Sequence, residues 1–546
     1  RNLRFIQPAK GVMMESLSLS SAVELQPERV PEALVIGSGL ASLITFSELS
    51  AIGFNVCILE PPDQNPEDVC CSVAGLNVNV VKDTLRSCVD QDSVYSSERW
   101  PSITRDESGF CVDTPELRSR RFDTLFFAGS LMTLEPGLSI PGFNQAATTT
   151  FLDAGIPSEL IFLMDHPRPT DPAAAMAAIL KAIQNVDAGG HSTVLFRNAA
   201  VGHIYGETLY DAAKSVGVMF YRLGKEAPGI SVSDMEGSGT QRFTVFFQDI
   251  IEHGTEISLT GDKLFVITGP DPESIPDILG DFLHNDRDGR GFLVSDSIHG
   301  TTFKSFCNGI YCVGGYTGAT DLLSVTAQAK AAAANARAYF LSKDAKPSKL
   351  RITIADECVR CLTCHRICPH SAIWPSAATS KSVMKSIASA CLECGICVSE
   401  CPRVALDLIH FPEEAFSGFL DDISGQPDKI VVYGCSRSAG RAFLNIELPP
   451  DVIFFSVPCA GRVSESVILD TIRAGVRGLL VIGCHHGNCA SSNGTDWACE
   501  RVRTTVSDFL VPAGVNVHLA YDSLAPNEPK RLERIIREFS DKPRNV

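Results

Sequence analysis

Eight cysteines occur in two copies of one short spacing. The segments CVRCLTCHRICP (358–369) and CLECGICVSECP (391–402) both follow the pattern C-x2-C-x2-C-x3-C-P. Bacterial ferredoxins use this spacing to hold [4Fe–4S] clusters, and the fourth cysteine of each copy binds the other cluster. Disulfides and zinc ribbons are the alternatives, but zinc sites pair one C-x2-C with a distant second pair. The predicted ligand sets are Cys358, Cys361, Cys364 and Cys401, and Cys391, Cys394, Cys397 and Cys368.

Four further cysteines are candidate metal ligands near the C-terminus. Three apolar stretches, KIVVYGC, DVIFFSVPC and GLLVIGC, are predicted strands that each end in a cysteine. Because the carboxyl ends of parallel strands share one crevice, these thiols should converge, and the loop CHHGNC adds a fourth. Four thiolates suit a [2Fe–2S] cluster, and zinc bound with help from His485 or His486 is the alternative. The predicted ligands are Cys435, Cys459, Cys484 and Cys489.

The elements that would position a second kind of cofactor begin at residue 33. Residues 33–60 (ALVIGSGLASLITFSELSAIGFNVCILE) predict a strand, a helix and a second strand. Gly37 permits a tight turn, Gly39 lets the backbone approach a pyrophosphate, and Glu60 is placed to accept hydrogen bonds from a ribose. A buried strand–helix–strand unit without a ligand is the alternative. The expected cofactor contacts are Gly37, Ser38, Gly39, Leu40, Ala41 and Glu60.

Later glycine turns favour FAD over NAD as the dinucleotide. Segments 122–130 and 262–269 are apolar strands that end in turns at Gly129 and Gly269, as in flavoproteins with two dinucleotide domains. Segment 309–340 predicts a strand ending at Gly314 and Gly315, a loop with Asp321, and an alanine-rich helix whose N-terminus would face the flavin. The same helix is also compatible with simple close packing.

The sequence thus predicts an α/β multidomain chain. It contains a lead-in (1–32), a Rossmann-like two-domain FAD-binding flavoprotein region (33–345), a bacterial-type two-[4Fe–4S] ferredoxin module (350–412) and a small parallel α/β C-terminal domain (428–546). Residues 170–300 predict an inner α/β block with a hairpin at 242–259, and residues 341–356 predict a polar linker.

The remaining cysteines are expected to be non-ligands. Most should be buried structural thiols, although the adjacent pair at 70–71 is an alternative ligand site. Cys499 is predicted to lie in a helix without a ligand role. The expected buried thiols are Cys57, Cys70, Cys71, Cys88, Cys111, Cys307 and Cys312.

Charge and hydropathy bound the compartment and the partners. The net charge of −17 argues against nucleic acid and against an anionic membrane surface. Twenty cysteines, twelve of them in ligand-like spacings, point to a reducing compartment. No apolar run reaches the roughly 18 residues of a transmembrane helix, and the start, RNLRFIQPAKGVMMESLSLSS, lacks the pattern of a signal peptide. We expect a cytoplasmic protein that meets a membrane only through partner subunits.

Several of these motifs carry a family resemblance. The flavin unit, the closing segment GGYTGATDLLSVTAQAKAAAANA and the two-cluster module resemble the A-type polypeptide of heterodisulfide reductase. The motifs VPCAGRV and GCHHGNC resemble the delta subunit of methyl-viologen-reducing hydrogenase. A fusion of the two resembles the B-type polypeptides of quinone-interacting membrane-bound oxidoreductase complexes. The chain departs from these families in PPDQNPEDVCC after Glu60, and in Ser438 where a C-x2-C pair starting at Cys435 is usual.

The resemblance implies an electron-transfer subunit of a larger anaerobic redox complex. Its implied cofactors are FAD, two [4Fe–4S] clusters and one [2Fe–2S] cluster, and its implied partners are other redox subunits such as a dehydrogenase, reductase or hydrogenase. The substrate site is then expected on a partner. The alternatives are a flavin enzyme that exchanges hydride with NAD(P)H or reduces a disulfide or acyl substrate, and a structural scaffold with a degenerate flavin site. Only scattered glycines in VLFRNAAVGHIYGET (194–208) disfavour a nicotinamide site.

Overall fold

The α/β class is confirmed in the computed structural model of the chain, in which helices alternate with strands in parallel sheets. The structure describes residues 29–62, 78–129, 158–165, 170, 172–198, 206–234, 241–248, 250, 255–267, 272, 275, 287, 291–293, 301–319, 321–345, 350–375, 384–515 and 517–541. Within these residues, no helix combines the length and apolarity needed to cross a membrane.

The strand–helix–strand unit predicted at 33–60 forms the centre of the first parallel sheet. Its elements are β1 (Glu32–Ile36), α1 (Leu40–Ala51) and β2 (Asn55–Glu60). They are followed by α2 (Val78–Ser87), β3 (Val94–Ser96), a small antiparallel sheet of β4 (Ser102–Asp106), β5 (Gly109–Asp113) and β6 (Arg120–Phe122), and then β7 (Thr124–Gly129). A late strand, Ile310–Gly314, completes the parallel sheet beside β7.

The inner block forms a second parallel sheet. In chain order it contains β8 (Glu159–Met164), α3 (Pro172–Asp187), β9 (His191–Phe196), α4 (Gly206–Val216), β10 (Met219–Arg222), an antiparallel sheet of β11 (Gly229–Asp234), β12 (Gln241–Gln248) and β13 (Glu256–Gly261), and β14 (Lys263–Ile267). The strand order is β10-β9-β8-β14, and β12 pairs with β13 as the predicted hairpin. Next come β15 (Ile310–Gly314) and the alanine-rich α5 (Leu322–Ala345), whose buried alanines pack closely against α1.

The ferredoxin module is an internal repeat with an offset of 33 residues between its cysteines. The strand β16 (Ile352–Ile354) and helix α6 (Thr363–Arg366) precede β17 (Ile373–Pro375); β18 (Met384–Ser386) and α7 (Ile396–Ser399) precede β19 (Leu406–Leu408). The antiparallel pairs β16–β19 and β17–β18 are equivalent under this offset. We call residues 358–371 the first repeat and residues 391–404 the second repeat.

The C-terminal domain is a four-stranded parallel sheet in the order β21-β20-β22-β23. Its strands are β20 (Ile430–Cys435), β21 (Val452–Val457), β22 (Gly478–Gly483) and β23 (His518–Ser523). The helix α8 (Glu414–Ile423) lies between the ferredoxin module and this sheet, and the helices of the domain itself are α9 (Ala439–Phe443), α10 (Glu465–Arg473), α11 (Gly494–Thr504) and α12 (Pro529–Ser540). Buried residues of α12 recur at helical spacing, so one apolar face packs on the sheet.

One hydrophobic core joins the ferredoxin module to the C-terminal domain. Phe411, just after β19, packs edge-on against Phe455 of β21 with ring centroids 5.9 Å apart. Phe416 of α8 packs against Tyr433 of β20 at 5.7 Å. The two regions therefore bury apolar surface against each other instead of being connected only by the chain.

Some local sequence predictions are wrong. Helix α5 continues to Ala345 and β16 begins at Ile352, so the predicted linker at 341–356 is shorter than expected, because Leu341, Lys343 and Ala345 are good helix formers that extend α5. Cys88 is exposed at the end of α2 and Cys111 is half-buried, whereas Cys57, Cys307 and Cys312 are buried as predicted. The predicted helix at 495–511 is α11 followed by a π-helical turn, Thr505–Leu510. Cys70 and Cys71 lie outside the described residues.

Candidate functional site

The first predicted ligand set lines a single surface cavity. Cys358, Cys361, Cys364 and Cys401 all border it. Cys361 is exposed, Cys364 is buried, and the other two thiols are half-buried. Burial, and then the neighbouring thiols of this same set, raise the pKa of Cys364 to about 11. The structure therefore brings together the four cysteines that the spacing assigned to one cluster.

The second predicted ligand set is buried throughout. Cys368, Cys391, Cys394 and Cys397 are each shielded from solvent. Burial raises the pKa of Cys397 well above its ordinary value, with added contributions from Cys394, Cys368 and Cys391. Four thiolates in such a place would be costly without a cationic partner. Iron bound to all four would supply that charge, so the residues fit a cluster.

Backbone conformation around both sets follows the internal repeat. Non-helical residues with positive φ occur at equivalent positions and turn the chain around the sulfurs; these are Arg360 and Glu393 (both 55°), Leu362 (64°) and Gly395 (78°), and Ser371 (47°) and Val404 (50°). The N–H of Ala372 donates to Cys368 Sγ and that of Ala405 donates to Cys401 Sγ, both at 3.3 Å. Hydrogen bonds to cluster-ligating sulfurs raise the reduction potential of the cluster, so these amides would tune the potentials of the predicted clusters.

The four C-terminal thiols also converge. Cys435 ends β20, Cys459 lies two residues after β21, Cys484 directly follows β22, and Cys489 lies in the loop before α11; all four are buried. The Sγ atoms of Cys435 and Cys484 are 3.9 Å apart. Cys435 and Cys489 each neighbour both Cys459 and Cys484, which closes a ring of four sulfurs.

Hydrogen bonds between the four thiols determine which of them lose a proton most easily. Hydrogen bonds from the thiols of Cys459 and Cys484 lower the pKa values of Cys435 and Cys489. The same bonds raise the pKa values of Cys459 and Cys484, which act as the donors. Within the described residues, no three His, Cys, Asp or Glu side chains are grouped to hold one metal ion. A cluster of several iron atoms, bound in place of the thiol protons, therefore fits this donor set better than a single zinc ion.

The side chains beside the ring are engaged elsewhere or unsatisfied. His485 uses both ring nitrogens, with Ser523 Oγ and Glu528 Oε2 each 3.0 Å away. His486 Nδ1 lies 2.6 Å from Asp496 Oδ1. The predicted histidine contribution to a zinc site is therefore disfavoured. Ser438 is buried, and its hydroxyl has no hydrogen-bond partner among the described residues.

The second repeat is the half of the module that faces the C-terminal thiols. The pKa of Cys394 is raised to about 12, chiefly by burial, and its neighbours include Cys489 and the hydroxyl of Ser491. Ile396 lies against Gly494 and Gly461 of the C-terminal domain. The buried ligand set and the C-terminal ring are therefore adjacent in space.

Two buried arginines of the C-terminal domain fix this arrangement. Arg462 is 1% exposed, donates to Glu413 Oε2 at 2.5 Å and lies over the Phe416 ring. A Cβ on Gly395 would lie 2.4 Å from Arg462 Cδ, so only glycine fits at that position of the second repeat. The guanidinium thus lies beside the turn that carries Cys394 and Cys397.

Arg501 makes the second link between the module and the C-terminal domain. Its Nε donates to Glu400 Oε1 at 3.0 Å, and its Nη1 donates to the carbonyls of Gly461 at 2.8 Å and Val463 at 2.9 Å. Arg501 as a whole residue is 5% exposed. These contacts hold the loop after Cys459 against the ferredoxin module.

The ferredoxin module also contacts the N-terminal region. Cys307 Sγ lies 3.6 Å from the carbonyl of Pro369 and 3.4 Å from Ser371 Oγ. His370 Nδ1 is 2.9 Å from the carbonyl of Phe306. Cys307, expected only as a structural thiol, is therefore a contact between the flavoprotein-like region and the buried ligand set. Sequence reasoning missed this role and those of Arg462 and Arg501.

The predicted dinucleotide contacts gather at the carboxyl ends of parallel strands. Gly37 follows β1, Gly129 ends β7 and Gly314 ends β15. A Cβ on Gly37 would lie 1.8 Å from the Ala128 carbonyl oxygen, and one on Gly314 would lie 2.8 Å from Ala41 Cβ. Gly39 caps α1 without a side-chain hydrogen bond, and the first turn of α1 has no acidic residue. This is the arrangement that an anionic pyrophosphate needs.

The acidic residues of this predicted site already have partners. Glu60 accepts from Arg86 Nη1 at 2.7 Å and from Ser96 Oγ at 3.4 Å. Asp321 Oδ1 accepts from the N–H of Ser324 at 2.8 Å in the first turn of α5. Gly315 begins a short 3-10 turn after β15, and Ser38 is buried beside Leu40 in the turn before α1. Gly269 lies outside the described residues.

Two family models match the part of the chain that contains the twelve candidate ligand cysteines. Residues 428–546 match the family model of the methyl-viologen-reducing hydrogenase delta subunit, and residues 342–406 match that of the 4Fe–4S dicluster domain. The D-type iron–sulfur polypeptide of an F420-non-reducing hydrogenase from Archaeoglobus profundus is 37% identical over 108 residues, which cover 20% of this chain and 77% of that protein. The chain belongs to this delta-subunit family. The D-type iron–sulfur polypeptide of the vhc F420-non-reducing hydrogenase from Methanococcus voltae is 25% identical over 111 residues, covering 20% of this chain and 75% of that protein.

The chain also has more distant likenesses among solved structures. Thioredoxin reductase from T. acidophilum is 15% identical and covers 58% of this chain and 100% of its own length, with a TM-score of 0.40. Lactococcus lactis thioredoxin reductase is 13% identical and covers 57% and 99%, with a TM-score of 0.39. The family matches confirm the prediction of an iron–sulfur redox protein with a 4Fe–4S domain.

Proposed function

We propose that this chain is an electron-transfer subunit of a larger anaerobic redox complex. One observation carries the proposal: twelve cysteines form three groups of four, and the buried group is adjacent to both the N-terminal region and the C-terminal ring. The relatives named above are hydrogenase iron–sulfur subunits, which supports a place beside other redox subunits. A cytoplasmic location, with membrane contact only through those partners, completes the proposal.

Each group of residues has a proposed cofactor. The two ferredoxin sets would hold [4Fe–4S] clusters, the C-terminal ring would hold a [2Fe–2S] cluster, and the turns at Gly37, Gly129 and Gly314 would hold FAD. When bound, the clusters exchange single electrons and FAD exchanges one or two. The protein buries Cys397 and its set, donates amide hydrogen bonds to the sulfurs, and excludes water with Arg462 and Arg501 at the domain boundary.

A scaffold with a degenerate flavin site is the second candidate for the N-terminal region. It is favoured by one contact, because the guanidinium of Arg86 binds the Glu60 carboxylate that a ribose would use. In this case the iron–sulfur part would function without flavin.

Anaerobic purification of the full chain tests both candidates. We expect about ten iron atoms per chain, a matching amount of acid-labile sulfide, and a flavin absorption spectrum. A chain with its full complement of iron but no flavin would support the hypothesis that the N-terminal region is a scaffold. Absence of iron would refute the electron-transfer proposal. Bleaching of the flavin by NADH in the isolated chain would contradict a relay without its own substrate site.

A further inference from the structure

The two repeats of the ferredoxin module differ in what covers them. Residues 369–371 of the first repeat are buried against Phe306 and Cys307. The equivalent residues, 402–404, are exposed, and Val404 is 75% exposed. The end of the first repeat is therefore covered by another part of this chain, whereas the equivalent end of the second repeat is exposed.

The same asymmetry holds around the second cysteine of each repeat. Cys394 is buried, and the following Gly395 is covered by Arg462. Its equivalent, Cys361, is exposed and is followed by Leu362 at the rim of the cavity. Val359, two residues before Cys361, is 59% exposed. The apolar side chains of Val359 and Val404 and the predicted ligand thiol of Cys361 are thus all exposed to solvent.

The charges of this open face are mainly basic in a strongly acidic chain. Arg360, Arg366 and Arg403 are exposed, Arg403 borders the cavity, and Arg366 is close enough to act electrostatically on Cys361. Asp356 and Glu357 precede Cys358 and are also exposed. Because the whole chain carries a net charge of −17, an excess of guanidinium groups here is a local reversal of sign. An apolar centre within a charged rim is the anatomy of a protein interface.

We propose that this open face, formed by 358–362 and 402–404, is the docking surface for a small acidic electron-carrier protein whose own redox centre lies at its surface. The proposal rests on the proposed function, since only a bound cluster gives the face an electron to exchange. Opposite charges would steer the carrier, and Val359 and Val404 would be covered on contact. Transient electron-transfer complexes need only small interfaces, which suits a face of this extent.

Binding of a small acidic [2Fe–2S] ferredoxin to the full, cluster-loaded chain tests the proposal. We expect binding that weakens with salt, and slower amide hydrogen exchange in 358–363 and 401–404 when the ferredoxin is present. Arg403→Glu and Val404→Glu should each weaken binding about tenfold. The second substitution is compatible with folding, because Val404 has a φ of 50°, which is unfavourable for a β-branched residue. Matched controls are Arg441→Glu and Val511→Glu, exposed residues of the C-terminal domain that should bind as the wild type does.

Three outcomes would overturn the docking proposal. The first is that the ferredoxin shows no measurable binding at low ionic strength, and the second is that Arg403→Glu and the wild type bind it equally well. The third is that the amides of 401–404 already exchange slowly without ferredoxin because a second copy of the chain covers them, which sedimentation would reveal as a dimer. Iron content and electron paramagnetic resonance spectra of the wild type and of each variant separate failure of the docking proposal from failure of the proposed electron-transfer function. Loss of iron in the wild type would refute the proposed function, whereas intact clusters with unaltered binding would refute docking alone.

Discussion

Replacing Gly494 by alanine should disable the C-terminal thiol ring without affecting the ferredoxin sets. Gly494 is the first residue of α11, and a Cβ on it would lie 2.5 Å from Cys459 Sγ and 3.2 Å from Cys489 Sγ. Ordinary contacts begin near 3.4 Å, so in this close-packed interior Cys459 would have to move by about 1 Å. Ligand sets tolerate only about 0.5 Å of displacement, and overpacking costs roughly 1–3 kcal/mol of stability.

Iron analysis and electron paramagnetic resonance of anaerobically purified chain measure the effect. We expect iron to fall from about ten to about eight atoms per chain, with loss of one cluster signal and retention of the others. The matched control is Gly418→Ala in α8, where a Cβ would meet no atom within 4 Å. That variant should keep its iron and gain roughly 0.4–1 kcal/mol of stability. Full iron and an unchanged third signal in Gly494→Ala would refute the assignment of the ring as a cluster site.

Three further substitutions test contacts of the domain boundary, of the inner block and of the predicted flavin site. Arg501→Met removes the Glu400 ion pair and leaves buried carbonyls without donors, so the free energy of unfolding measured with denaturant should fall by roughly 3 kcal/mol; an unchanged midpoint would contradict the link. Asn185→Leu abolishes hydrogen bonds to the backbone carbonyls of Ser158 and His191 at 2.8 and 2.9 Å and should lower the free energy of unfolding by about 1–3 kcal/mol, and an unchanged thermal transition would contradict this. Gly37→Ala places a Cβ 1.8 Å from the Ala128 carbonyl oxygen, so flavin content should drop while iron stays constant; retained flavin would locate the cofactor elsewhere.

Local spacing explains why the groups of thiols were predictable. A C-x2-C-x2-C turn forces its sulfurs together whatever surrounds it, and residues such as Arg360 and Leu362 adopt positive φ to complete that turn. The C-terminal ring was predictable for a different reason, because parallel strands must end at one edge. The first inference uses only short-range geometry, and the second uses a general rule of parallel sheets.

The environment of those groups was not predictable, because it depends on surfaces far apart in the chain. Arg462 and Arg501 look like ordinary surface cations in the sequence, and their burial arises from acceptors on the ferredoxin module and the segment that follows it. Cys307 has no local signal that would place it beside Ser371. The sequence also does not indicate which repeat is enclosed, because both repeats have the same cysteine spacing.

The enclosed position of the second ligand set bears on how the protein is made. Cys368, Cys391, Cys394 and Cys397 lie beneath contacts from both neighbouring regions, and one covering region is synthesised only after the module. On the proposed ligand sets, that cluster would be delivered most easily before the turn that carries Arg462 packs over Gly395. The set that includes exposed Cys361 stays open to delivery and repair in the finished protein. On the proposed ligand sets, the cluster that includes Cys361 would therefore be the more accessible of the two to oxidants and to iron delivery.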